Sequence, residues 1–200
     1  MSILLPGKLF IISGPSGVGK GTVITELKKE YPRFVFPISH TTREIRTGEK
    51  DGETYHFISV ERFKEGIEKG EFLEWAQVHK QNYYGTLKKP IMDALAAGKV
   101  IVREVDVQGF HSIKAVVPAE DLVTIFIKAE SKERLLARIA HRGQLPEEEL
   151  KRRMESMEKE LAIAPEFDYQ VWSIEDKVDK CVGEVERIIK EETAASGLKI

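Results

Sequence analysis

Apolar runs alternate with amphipathic stretches along most of the chain. Branched and aromatic residues predict buried strands at Leu9–Ile12, Val100–Val102 and Leu122–Ile127, with a weaker strand at Tyr169–Ser173. Amphipathic spacing predicts helices at Val23–Glu30, Lys88–Ala97, Gly109–Val116, Ser131–His141 and Glu175–Glu192. The alternation predicts an α/β fold, with a mostly parallel sheet flanked by helices on both faces.

Two stretches interrupt this alternation. Residues 38–87 mix short strands, such as Thr54–Ile58, with one helix at Val60–Lys69, and this pattern predicts an inserted α+β subdomain. Residues 142–163 combine a glycine and a proline with a long charged helix that opens at Glu147, which predicts a helical lid. We therefore expect one domain over 1–200, with core 1–37, 88–141 and 164–200, subdomain 38–87 and lid 142–163.

A glycine-rich loop follows the first strand and opens the first helix. The spacing Gly14-x4-Gly19-Lys20, between a strand and a helix, is typical of a phosphate-binding loop. Its glycines allow backbone N–H groups to approach phosphate oxygens, and Lys20 adds a full charge. A plain strand-to-helix turn is the alternative. The predicted triphosphate-binding residues are Gly14, Pro15, Ser16, Gly17, Val18, Gly19, Lys20, Gly21 and Thr22.

The metal that accompanies such a loop is not fixed by the sequence. Gly21 stands next to Lys20, so the first hydroxyl arrives one position later, at Thr22. We therefore expect Mg²⁺ to be held by phosphates and water, with Thr22 or Asp106 as alternative ligands. The five histidines show no metal-ligand spacing.

Composition fits a compact enzyme and excludes some partners. The 200 residues include 31 basic and 33 acidic ones, so the net charge of −2 favours neither nucleic acid nor an anionic membrane as partner. The single Cys181 favours a reducing compartment. Met1–Pro6 is too short for a signal peptide, and the cytoplasm is therefore expected. Whether the chain is a monomer or a homo-oligomer stays open.

A second anionic ligand is indicated by residues 39–84. Arg43 and Arg46 are three residues apart, and Tyr55 and Tyr84 follow; guanidinium groups and phenol hydroxyls together suit a phosphate. A solvated surface loop is the alternative for the arginines alone. Glu74, however, lies among bulky apolar residues, where a carboxylate needs a specific partner.

These residues belong to motifs that closely resemble those of the guanylate kinases. The matching segments are Ser39-His40-Thr41-Thr42-Arg43-x-x-Arg46-x-Gly48-Glu49-x-x-Gly52-x-x-Tyr55, Glu74-Trp75-Ala76, Asn82-Tyr83-Tyr84-Gly85-Thr86 and Asp106-Val107-Gln108-Gly109. The resemblance implies a P-loop NTPase core with a GMP-binding insertion and a lid. It also implies transfer of the γ-phosphoryl group of ATP to GMP, and to dGMP, with Mg²⁺.

Residue roles follow from the resemblance, position by position. It implies that Arg43, Arg46, Tyr55 and Tyr84 bind the GMP phosphate, and that Ser39, Glu74 and Thr86 bind guanine, with Glu104 and Asp106 nearby. The chemistry of Glu74 agrees, because guanine presents N1–H and a 2-amino group side by side, whereas adenine presents an acceptor at N1. Lys20, Arg43 and the lid arginines Arg142 and Arg153 are the expected catalytic residues; the alternative for the lid arginines is a charged helix face.

Three positions depart from the family pattern. Glu104 stands where a shorter aspartate is common, and Ser173 where an asparagine often contacts adenine. Arg103 interrupts an apolar strand, and packing against the rim of a helix is our interpretation of it.

Two other functions are compatible with the fold. A non-catalytic guanylate-kinase-like binding module would lack the phosphate loop, which this chain retains. A kinase for another nucleoside monophosphate would differ in which acceptor it prefers.

Overall fold

The computed structural model describes residues 5–78, 81–131, 135, 147–174, 177–198 and 200. The strands are β1 (Lys8–Ser13), β2 (His40–Thr41), β3 (His56–Phe57), β4 (Phe72–Val78), β5 (Asn82–Leu87), β6 (Val100–Glu104), β7 (Leu122–Ala129) and β8 (Tyr169–Ser173). The helices are α1 (Lys20–Glu30), α2 (Val60–Glu68), α3 (Lys88–Ala96), α4 (Val107–Lys114), α5 (Glu147–Ala162) and α6 (Val178–Ala195).

Four parallel strands form the core sheet, in the order β6-β1-β7-β8. Every residue of β1 is buried, so both faces of this central strand are covered. Phe10 and Ile12 pack on one face with α1 and α6, whereas Leu9 and Ile11 pack on the other with α3 and α4. This period of two along the strand gives the sheet one apolar layer on each side, and the predicted α/β fold is confirmed.

A second sheet is built from residues between α1 and α3, in the order β3-β2-β5-β4. β2 pairs with β3 in parallel, and the β2–β5 and β4–β5 pairs are antiparallel. Phe63 of α2 stacks on Phe72 at 4.2 Å between ring centroids and anchors the helix on the sheet. A register shift between Phe72 and Glu74 interrupts the β4–β5 pairing, and such an irregularity changes the direction of nearby side chains.

Most predicted elements are confirmed, with differences at their ends. The predicted strand Thr54–Ile58 is wrong in extent, because only His56–Phe57 pairs with β2. α1 begins at Lys20, three residues earlier than predicted. α6 runs beyond its predicted end to Ala195, and Gly197, at φ 71°, follows its end as the left-handed residue that commonly terminates a helix.

The predicted helix Ser131–His141 lies almost wholly outside the described residues. The division into core, 38–87 subdomain and 142–163 lid stays a prediction. Among the helices in the described ranges, none has the length and apolar character needed to cross a membrane.

Candidate active site

One cleft of about 1000 Å³ lies between the carboxyl ends of the core strands and the second sheet. Ligands of parallel sheets bind at this edge, where loops leave the strands. The predicted site residues that line the cleft are Ser16, Gly17, Gly19, Lys20, Gly21, Thr22, Ser39, Tyr55, Glu74, Tyr84, Glu104 and Asp106. The loop and the two predicted phosphate-binding tyrosines thus face the same space, whereas Arg43, Arg46 and Thr86 are not among the residues that line it.

The phosphate loop owes its shape to glycines with positive φ. Gly14, Gly17 and Gly19 have φ values of 147°, 84° and 106°. At Gly14 a Cβ would lie 2.4 Å from the carbonyl oxygen of Ile127, so a side chain is excluded. The backbone N–H groups of Lys20 and Gly21, at the start of α1, have no acceptor among the described residues. This helix N-terminus therefore offers donors and a favourable dipole to an anion.

Lys20 folds back onto the loop. Its Nζ donates to the carbonyl oxygens of Gly14, at 2.6 Å, and Pro15, at 3.2 Å. Glu104 Oε1 lies 3.8 Å from the same nitrogen, and its side chain is 46% exposed to the cleft. The ammonium group is thus held by two neutral carbonyl oxygens, which a phosphate oxygen can replace, with the Glu104 carboxylate at ion-pair distance.

Arg43 is braced by a glutamate of its own loop. Its Nη2 donates to Glu49 Oε1 at 2.8 Å, and the other oxygen, Glu49 Oε2, accepts from the backbone N–H of Arg46 at the same distance. Both hydrogen bonds lower the pKa of the Glu49 carboxyl, and the one from Arg43 has the larger effect. The Arg43 guanidinium also lies 5.5 Å from the ring centre of Tyr55. Glu49 therefore fixes the position of one predicted phosphate-binding arginine and the backbone of the other.

The two predicted phosphate-binding tyrosines are neighbours. The rings of Tyr55 and Tyr84 meet edge to face, with 5.6 Å between centroids, and both line the cleft. Burial raises the pKa of the Tyr55 hydroxyl, which therefore stays protonated and able to donate. The structure thus gathers Arg43, Tyr55 and Tyr84 in one place.

Glu74 is the centre of a buried hydrogen-bond network. Its Oε1 accepts from Thr86 Oγ1 at 2.6 Å and from Arg103 Nη2 at 2.7 Å, and both charged side chains are only 10% exposed. Oε2 has no hydrogen-bond partner among the described residues and lies near the start of α4, 3.5 Å from the position of a Cβ on Gly109. One oxygen of this carboxylate is thus engaged by protein, and the other is open to a ligand.

Our sequence interpretation of Arg103 is wrong. Its side chain does not pack on a helix rim but donates to Glu74, to Ser39 Oγ at 3.1 Å and to the carbonyl oxygen of Pro37 at 3.4 Å. The partners lie on segments distant in the chain, so no local sequence pattern predicts these contacts. The only available signal was a charge inside an apolar strand.

Two acidic residues complete the cleft near the loop. Asp106 caps α4 by accepting from the backbone N–H of Gly109 at 2.7 Å. Glu160 of α5 also lines the cleft, and burial raises the pKa of its carboxyl, an effect opposed first by the hydrogen bond from Ser156 and then by the charge of Lys20. Sequence reasoning missed Glu160 as well as Glu49, because a glutamate in a charged helix or loop carries no distinguishing pattern.

Some predicted site residues are not tested by this geometry. Arg142 lies outside the described residues. Arg153 falls within α5, and only its backbone is described. Ser173 ends β8 beside the phosphate loop, its Oγ 3.7 Å from the position of a Cβ on Gly19.

Comparisons with known proteins agree over nearly the whole chain. The family model described as guanylate kinase matches residues 6–192. The guanylate kinases of Gloeobacter violaceus and Clostridioides difficile are each 43% identical to this chain, over 92% and 93% of it and 88% of their own lengths. The crystal structure of guanylate kinase from Anaplasma phagocytophilum superposes with a TM-score of 0.72 at 27% identity, covering 93% of this chain and 86% of that one. Together with the geometry of the cleft, these similarities show that the chain belongs to the guanylate kinase family.

Proposed function

We propose that this enzyme transfers the γ-phosphoryl group of ATP to GMP in the cleft between its two sheets, with the residues described above in the roles that follow. One observation carries the proposal: a single cleft is lined on one side by the phosphate loop and on the other by Glu74. Two nucleotides placed in it would meet phosphate to phosphate. A phosphoryl group could then pass directly between them.

The donor phosphates bind the backbone amides of residues 14–22. Lys20 leaves the Gly14 and Pro15 carbonyl oxygens and moves to the phosphates, where a full negative charge is the better acceptor. Phosphoryl transfer needs little covalent chemistry from the protein, so alignment and positive charge around the moving group supply the catalysis.

The acceptor phosphate binds Arg43, Arg46, Tyr55 and Tyr84. Glu49 holds Arg43 in place before GMP arrives, which reduces the entropy lost when the arginine is ordered by its ligand. Guanine binds Glu74, Ser39 and Thr86, with Asp106 at the start of α4 close by. Glu74 Oε2 accepts from the guanine edge, and adenine would leave that oxygen facing another acceptor.

Mg²⁺ accompanies ATP. Thr22 lines the cleft, and only one oxygen of Asp106 accepts a hydrogen bond among the described residues, so both residues can hold the ion directly or through water. Among the described residues no group of three or more acidic, histidine or cysteine side chains could hold a metal alone. This donor set fits an ion whose other ligands are phosphate oxygens and water, and which neutralises charge on those oxygens.

The segment 142–163 acts as the lid, and Arg142 and Arg153 stabilise charge on the transferring group. Closure also excludes water, which would otherwise accept the phosphoryl group. The protein works in the cytoplasm, where both nucleotides are available.

The acceptor panel tests this proposal. A coupled assay for ADP would compare GMP, dGMP, AMP, CMP and UMP for the wild type and for Glu74→Ala. We expect GMP to exceed AMP in kcat/KM by about 10⁴-fold, with dGMP close to GMP, and Glu74→Ala to remove most of this preference.

Glu71→Ala is the matched control, because it removes a nearby glutamate that is bound to Arg62. It should keep the wild-type ranking of acceptors. A wild-type preference for AMP, or full discrimination in Glu74→Ala, would overturn the proposed acceptor site.

A further inference from the structure

Arg103 binds two of the side chains that we propose as guanine ligands. A single nitrogen, Nη2, donates to Glu74 Oε1 at 2.7 Å and to Ser39 Oγ at 3.1 Å. Nη2 carries two hydrogens, so both are used. The Arg103 side chain is 10% exposed, and its buried Nε has no acceptor among the described residues. Burying a guanidinium group with an unpaired N–H costs free energy. Stabilisation of the fold alone is therefore a poor explanation for an arginine at this position.

The contact with Glu74 decides which carboxylate oxygen a ligand meets. Thr86 and Arg103 together occupy both lone pairs of Oε1. Oε2 is left as the acceptor that remains available. The positive charge of Arg103 also compensates the charge of the buried Glu74 carboxylate. Without such a partner, a charge removed from water would be strongly unfavourable.

The contact with Ser39 decides the direction of its hydroxyl. Because Ser39 Oγ accepts a hydrogen from Arg103, its own hydrogen is free to point away and donate. Ser39 thus presents a donor beside the acceptor of Glu74. Guanine has the complementary order, an acceptor at O6 next to a donor at N1. Adenine has the reverse order, with a donor at N6 and an acceptor at N1.

We infer that Arg103 is a specificity-determining positioning residue, which sets the donor and acceptor order of the base pocket by holding Glu74 and Ser39 through one nitrogen. The inference rests on the proposed placement of guanine. Arg103 acts on the base through these two side chains.

The test uses a pair of acceptor ligands. Purine riboside 5′-monophosphate keeps the ring system, sugar and phosphate of GMP but lacks O6, N1–H and the 2-amino group. We expect Arg103→Met to weaken binding of GMP roughly 10- to 100-fold, as for loss of a charged hydrogen bond, measured as Kd by calorimetric titration. Binding of purine riboside 5′-monophosphate should change by less than about threefold. This ligand lacks the base groups that would contact Glu74 and Ser39, the two side chains that Arg103 holds. The KM for ATP should stay within the same limit.

Arg62→Met is the matched control, since it removes another arginine–glutamate pair, Arg62–Glu71 at 2.6 Å, near the surface of the second sheet. It should leave both affinities unchanged. Arg103→Lys keeps the positive charge but loses the planar guanidinium group. It should therefore weaken GMP binding by a smaller factor than Arg103→Met, and again leave binding of purine riboside 5′-monophosphate nearly unchanged. It also serves if Arg103→Met does not fold.

Equal losses for both ligands would reduce Arg103 to a structural role, and unchanged GMP affinity would overturn the inference outright. Glu74→Gln, titrated with the same ligands, separates this failure from that of the proposed function. If Glu74→Gln abolishes the preference for GMP and Arg103→Met does not, only the inference about Arg103 is wrong. If Glu74→Gln also keeps the preference, the proposed base site is wrong.

Discussion

The two sides of the cleft are built in different ways. The phosphate loop consists of consecutive residues, and its shape comes from backbone dihedral angles at Gly14, Gly17 and Gly19. The opposite side, which we call the acceptor wall and define as Ser39, Glu74, Thr86 and Arg103, consists of side chains from four separate segments. Its hydrogen bonds join residues 12, 29 and 64 positions apart.

This contrast explains what each side can do. Backbone N–H groups recognise phosphate, which every nucleotide carries, so in the proposed function the loop supplies affinity without identifying a base. Side chains held by partners can present a fixed order of donors and acceptors, and in the proposed function the acceptor wall therefore supplies discrimination. The donor side should be sensitive to backbone geometry and to one charge, whereas the acceptor side should be sensitive to its hydrogen-bond partners.

The largest effect expected on the donor side comes from its single charge. Lys20→Ala should lower kcat by at least about 10²-fold, because a charge placed at the transferring phosphates is lost. A coupled assay measures the rate, and a thermal melt checks the fold. Lys29→Ala, which removes an exposed lysine paired with Glu26 on α1, is the control and should retain the wild-type rate. Wild-type turnover in Lys20→Ala would show that the donor phosphates bind elsewhere.

A second effect, on stability, tests the role of backbone geometry. Gly14→Ala should destabilise the protein by roughly 2–4 kcal/mol, because φ is 147° there and the new Cβ would lie 2.4 Å from the Ile127 carbonyl oxygen. Gly21→Ala is the matched change, since a Cβ at this helical position meets nothing within 4 Å. It should alter the free energy of unfolding by at most about 1 kcal/mol, in the stabilising direction.

Denaturant unfolding without nucleotide measures both variants. Equal stabilities for the two would mean that the loop does not depend on the dihedral angle of Gly14.

The smallest expected effect is a pH dependence confined to the second sheet. Burial, then His56 and Arg62, lowers the pKa of His40 below its ordinary value of about 6.5, whereas Asp51 acts in the opposite direction. The unfolded chain therefore binds the proton more readily than the folded one. Stability conferred by the neutral ring is complete above the unfolded pKa and decreases as the pH falls below it.

Hydrogen exchange, corrected for intrinsic rates, should show protection in β2 and β5 falling between pH 7 and pH 5.5 more than in β1 and β7. His40→Gln should remove this difference, and His111→Gln, on α4, should not. A uniform loss across both sheets would assign the effect to other groups.

The sequence predicted one side of the cleft better than the other, for the same physical reason. The phosphate loop and β1 depend on neighbours in the chain, so spacing and apolar runs were sufficient to predict them. Glu74 was predicted because a carboxylate among apolar residues needs a partner, yet that partner, Arg103, was assigned to the rim of a helix. Its contacts arise only when β6 and β4 are brought together by the fold. Glu49 was likewise missed, because its role depends on the conformation of a loop.

The most direct test of the account is a crystal structure of the protein with GMP and a non-hydrolysable ATP analogue. We predict the GMP phosphate on Arg43, the guanine N1–H within hydrogen-bond distance of Glu74, and the analogue's phosphates on the amides of the Gly14–Thr22 loop. A purine bound away from Glu74, or analogue phosphates outside that loop, would contradict the account.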